Sequence, residues 1–129
     1  MTIAVAHSET ARGKAALQSA AAEALYRDEP LAVLRIIPGV DQPRTEDPVL
    51  IEKLTAELAD FSDLTWKLHT APEGFDTADA LLDLADEVGA SLLVIGSRRR
   101  RPIGKLILGS TVQQVLLKSL IPVLVIKAA

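Results

Sequence analysis

No cysteine occurs in the chain. Its absence excludes a disulfide framework, thiolate metal sites and a cysteine nucleophile. Aromatic residues make up only 3% of the 129 residues although 49% are hydrophobic, so the core must be assembled from Leu, Val, Ile and Ala. No stretch approaches the roughly 18 consecutive apolar residues of a membrane-spanning helix. The opening MTIAVAHSE lacks the basic region and long apolar run of a secretory signal, which predicts a cytoplasmic protein. With a net charge of −3, general nucleic-acid binding is not expected, although the four adjacent arginines at 98–101 are a local exception. The two histidines, His7 and His69, have no metal-ligand spacing, and no serine stands in a nucleophile elbow. Neither a metal site nor a catalytic residue is therefore expected.

What remains is a strand–helix alternation that fits one domain over residues 1–129. Residues 2–6 form a short apolar strand, followed by turn and cap chemistry in which Ser8 or Thr10 serves as N-cap. Residues 12–26 are helical, with Ala16, Ala20 and Ala24 on one stripe; Gly13 should weaken the first turn by ~1 kcal/mol. Residues 31–37 (LAVLRII) read as a strand covered on both faces. Asp47 and Pro48 set up the start of a helix at 49–61. Residues 64–70 alternate like an edge strand with His69 exposed, and 76–88 form an acidic-faced helix closed by Gly89. A strand at 91–95, a helix at 110–119 with Ser110 and Gln113 at capping-box spacing, and a strand at 122–127 complete the chain. The order is that of an α/β domain with a mostly parallel sheet.

The segment most loaded with chemistry is 94–110, VIGSRRRRPIGKLILGS. Gly96 closes a buried strand, where a glycine permits a tight turn and the close approach of a ligand. Gly109 and Ser110 open a helix and leave amide groups free to hold phosphate oxygens. Two such features thirteen residues apart, with four arginines between them, describe an anion site; the plainer reading is a pair of turns around a solvated basic loop. By the first reading, phosphate near Gly109 and Ser110 would order residues 98–101. His7, at the end of the first strand, is read either as a turn residue or as a contact to base or phosphate.

The GS–loop–LILGS segment, the short helix after it and the strand beginning Pro122-Val123 resemble the universal stress protein family over essentially the whole chain. The Ser8-Glu9-Thr10-Ala11 start of an Ala-rich helix and the LLDLADEVGA helix before VIGS are similar to that family as well. The resemblance implies a single-domain open parallel five-stranded sheet of order 3-2-1-4-5 with helices on both faces, Rossmann-like and of the adenine nucleotide alpha hydrolase type. A ligand would lie beyond the carboxyl ends of strands 1 and 4, between Ala6-His7-Ser8 and Gly96-Ser97. In the ATP-binding branch the phosphate motif is Gly, two residues, Gly, nine residues, Gly, then Ser or Thr. Gly96, Gly109 and Ser110 match it; Arg99 stands at the second glycine. Ala6 stands where the family often has an aspartate. By the same matching Ile36 and Ile95 line the adenine and ribose side, and Thr111 follows Ser110 at the helix start.

Those two departures leave three functions open. The first is a nucleotide-dependent stress regulator that binds ATP, with magnesium when it does. The second is a non-nucleotide-binding homodimer that docks an unidentified partner protein, and the third a slow ATP hydrolase. Family members generally dimerise through the last strand, so the resemblance implies a homodimer through residues 122–127, with Val123 and Val125 at the contact; an edge blunted by Pro122 and Lys127 would leave a monomer.

Overall fold

The computed structural model describes residues 1–38, 47–74, 76–98 and 108–128. The readings of Arg99 and of the basic run as an anion-ordered loop fall outside the described residues.

Nine elements alternate along the chain: β1 (Thr2–Ala6), α1 (Ala11–Arg27), β2 (Leu31–Ile37), α2 (Pro48–Glu57), β3 (Trp66–Pro72), α3 (Thr77–Glu87), β4 (Ala90–Arg98), α4 (Ser110–Lys118) and β5 (Val123–Ala128). The strands form one sheet in the order β3-β2-β1-β4-β5, every neighbouring pair parallel. That is the order the resemblance implies. Alternate residues of each strand serve opposite faces. Ile3, Val5, Leu31, Val33, Leu92 and Val94 pack beneath α1 and α2. Ala4, Ala32, Leu34, Leu93 and Ile95 pack beneath α3 and α4. Both faces are covered, which is why the central strands read as unbroken apolar runs.

Local chemistry sets most helix ends as expected. The Thr10 hydroxyl accepts from Gly13 N–H at 3.2 Å, so Thr10 rather than Ser8 caps α1. Asp47 accepts from Leu50 N–H and Pro48 is the first residue of α2. Asp76 accepts from Asp79 N–H at the start of α3, and Gly89 has φ +68, the left-handed conformation foreseen for it.

Other expectations need correction. Gly13 is no weak point: a Cβ there would run into the Ser8 hydroxyl and backbone, so glycine is what lets the β1–α1 loop fold against the helix. Helix α2 stops at Glu57, not residue 61; tight turns take over, with Phe61 N–H bonded to Leu58 O at 2.9 Å, while Leu58 stays buried and prolongs the helical pattern. Strand β3 lies two residues later than the alternation suggested, because its register is fixed by β2, Leu31 opposite Trp66 through Ile37 opposite Pro72. Pro72 is tolerated on this edge strand because its missing N–H would face no partner. The capping box of α4 does not form. Gly109 is the N-cap, without a side-chain hydrogen bond, and Gln113 Nε2 donates instead to Leu108 O at 2.9 Å.

Candidate functional site

Winding 3-2-1-4-5 sends the connections of β1 and β4 to opposite faces, so a crevice opens beyond their carboxyl ends. A cavity of about 500 Å³ occupies it. Its apolar wall includes Ala6, Ile36 and Ile95, three residues that the family resemblance named. Gly96, Gly109, Ser110 and Thr111 line the same cavity, and so does His7. Two glycines thirteen residues apart are thus brought to one crevice by the packing of α4 against β4 and α3.

Gly96 does not act as the turn it was taken for. It lies inside β4, opposite Ile126 on β5. A Cβ at Gly96 would collide with the carbonyl oxygen of Arg12 on α1. The glycine therefore admits the first turn of α1 against the sheet, and this close packing holds Arg12 at the cavity.

Helix α4 begins at Gly109 without a side-chain cap, so among the described residues no side chain caps its first N–H groups, and the positive end of its dipole lies beside the cavity. Ser97, next along β4, also lines the cavity; it is 1% exposed, and among the described residues its buried Oγ has no hydrogen-bond partner. Thr77, at the start of α3, lines the cavity too.

His7 is more than a turn residue. Its backbone N–H extends the β1 ladder to Leu34 O at 2.9 Å, and its side chain is 2% exposed. Arg35 Nη1 lies 3.1 Å from His7 Nδ1. A guanidinium can only donate, so Nδ1 accepts and the proton sits on Nε2. That nitrogen faces Glu57 Oε2 at 3.3 Å, without the alignment of a hydrogen bond. Burial pushes the His7 pKa below its ordinary value; Glu57 opposes the shift and Arg35 reinforces it. His7 is thus a neutral link between the cavity and α2.

Sequence reasoning missed Arg12 and Arg35, although both line the cavity; Ser97, which the resemblance put beside the ligand next to Gly96, lines it as well. For Arg35 a signal existed: it is the one charge in the otherwise apolar LAVLRII. His69 is half-buried on β3 rather than exposed, is not among the residues lining the cavity, and has its pKa lowered first by burial and then by Lys67. The acidic side of α3 is a solvated face: Asp83, Asp86 and Glu87 are exposed, and Asp79 holds Lys118 at 3.0 Å.

The fold and crevice define a doubly wound α/β protein with an anion-ready site at its switch point. The family model of the universal stress protein family matches residues 1–127. A universal stress protein of Mycolicibacterium smegmatis is 38% identical over 128 residues, which cover 97% of this chain and 96% of that protein. The structure of a universal stress protein from Archaeoglobus fulgidus has a TM-score of 0.76 at 37% identity, with 98% of each chain covered. Another from Archaeoglobus fulgidus, in complex with dAMP, has a TM-score of 0.70 at 32% identity, again with 98% of each covered. The chain belongs to the universal stress protein family.

Proposed function

We propose that the crevice binds an adenine nucleotide and that the protein acts in the cytoplasm as a nucleotide-dependent stress regulator. The observation that carries this reading is the joining, in one cavity, of the uncapped start of α4 to an apolar wall of Ala6, Ile36 and Ile95. The base and sugar lie on that wall, and the phosphate lies at Gly109, Ser110 and Thr111 beside Gly96. The Archaeoglobus fulgidus relative in complex with dAMP supports it. Thermal unfolding with and without dAMP or ATP tests it: ligand at a hundred times its dissociation constant stabilises by ~2.7 kcal/mol, a shift of several degrees or more. No shift with either nucleotide at millimolar concentration overturns the reading.

A second reading, a homodimer through β5, is favoured by the surface beside that edge. Among the described residues strand β5 pairs only with β4, and Leu117 and Leu120 are 78% and 101% exposed. Val123 and Val125 pack inward against the α3–α4 core, so pairing would use the strand's backbone and these leucines. Light scattering tests it, since a mass of 13.8 kDa would be a monomer.

A further inference from the structure

We propose that this crevice takes a nucleoside monophosphate without a divalent cation, the guanidinium groups of Arg12 and Arg35 supplying the counter-charge. The proposal rests on the nucleotide reading above and departs from the magnesium that the family resemblance implied.

Magnesium bound with a nucleotide is usually anchored by one or two protein carboxylates. Among the described residues the cavity lining has none; its polar side chains are imidazole, guanidinium and hydroxyl. The nearby carboxylates are committed elsewhere. Glu9 holds Lys53 at 3.0 Å, Asp79 holds Lys118, Glu57 faces His7 and Asp76 caps α3. Among the described residues no cluster of His, Asp and Glu could hold a metal ion.

The two arginines have the opposite character. Neither has a carboxylate within ion-pair distance among the described residues, and the only partner of Arg35 there is a neutral imidazole. Arg12 lies in the first turn of α1, which contains no acidic residue; a cation there opposes the helix dipole unless an anion lies beside it. Ser97, which lines the cavity, adds an independent sign: its buried hydroxyl has no partner among the described residues. A phosphate monoester carries about −1.5 to −2 charges near neutral pH, which two guanidinium groups match. A magnesium ion on that phosphate would meet two fixed cations and the positive end of α4.

Calorimetric titration of the whole chain with AMP, in EDTA and again in millimolar magnesium chloride, tests the proposal. AMP should bind in EDTA, and magnesium should change its affinity by less than about twofold. Arg12→Gln and Arg35→Gln should each weaken binding by about tenfold, the scale of a lost charge-assisted hydrogen bond. Arg12→Lys should restore part of the loss, and the ligand-free unfolding midpoint of Arg12→Gln should equal or slightly exceed that of the parent. A gain of tenfold or more with magnesium, or unchanged affinity in both glutamine variants, overturns the proposal. Should AMP and ATP fail to bind under either condition, the nucleotide reading falls, and inorganic phosphate in EDTA becomes the probe. Stabilisation by phosphate that both variants abolish would uphold the metal-free anion site; its absence would overturn that as well.

Discussion

Replacing Gly96 by alanine adds a single methyl group at the point where α1 meets β4. In a strand the exchange would ordinarily help, since glycine costs roughly 0.5–1 kcal/mol relative to alanine. Here the new Cβ meets the Arg12 carbonyl, part of a helix backbone that is anchored by the fully buried Ala16, Leu17 and Ala20. No side-chain rotation relieves that clash, so either the first turn of α1 or the end of β4 must shift. Overpacking costs about 1–3 kcal/mol, and a backbone clash that no rotamer escapes falls in the upper part of that range, about 2–3 kcal/mol. Subtracting the glycine effect leaves a net loss of about 1–2.5 kcal/mol. In a domain of this size each kcal/mol moves the midpoint by roughly 3–5 °C, so a drop of roughly 3–12 °C is expected. Thermal unfolding followed by far-ultraviolet circular dichroism, with fluorescence of the single tryptophan, Trp66, as a second probe, measures it. Nucleotide affinity should fall as well, because the displaced turn carries Arg12. A Gly96→Ala protein as stable as its parent, binding nucleotide equally well, would refute the idea that this glycine exists to admit the helix.

Among the described residues nothing lies within 4 Å of a Cβ at Gly109, and Gly109→Ser would give α4 a side-chain cap; a gain of a few tenths of a kcal/mol is expected, with weaker AMP binding because the hydroxyl competes for the same amides, both read by ligand-dependent thermal shift. Asp47→Ala removes the acceptor for Leu50 N–H and should cost about 1 kcal/mol by urea midpoint. Stability should also fall with acid in a way that His7 explains in part. Its folded pKa lies below the unfolded value of about 6.5, so below that pH the unfolded chain binds more protons; this contribution is complete above about pH 6.5 and is lost as pH drops through the folded pKa. Urea midpoints from pH 7.5 to 5 should therefore decline less steeply in His7→Gln, with His69→Gln removing a separate share because His69 is shifted the same way.

Much of the fold was legible because buried parallel strands advertise themselves: TIAVA, LAVLRII and SLLVI are apolar where both faces are covered, and Asp47-Pro48, Asp76 and Gly89 punctuate the helices between them. What composition does not encode is where a strand stops, since that is decided by the neighbour it pairs with. Strand β4 continues through Gly96 and Ser97 because Ile126 and Lys127 lie opposite, and β3 slides to Pro72 to match Ile37. The misread glycines have the same origin. Propensity assigns Gly13 and Gly96 a cost or a turn, whereas their use depends on which backbone lies against them in three dimensions.

The site divides along the same line. Its backbone part, Gly96, Gly109 and Ser110, follows from a linear spacing, whereas the wall of Ala6, Ile36 and Ile95 was named only through the family resemblance. Its charge follows from neither, because Arg12 and Arg35 are 23 positions apart on different elements and come to one cavity only where β1 and β2 end beside the start of α1. Ala6, the absent carboxylate, and these two cations bias the crevice in one electrostatic direction. With an alanine at one strand end and a guanidinium at the next, the ligand we propose is a bare phosphate rather than a metal-bound one, and on that proposal Ala6 marks a different kind of ligand rather than an empty crevice.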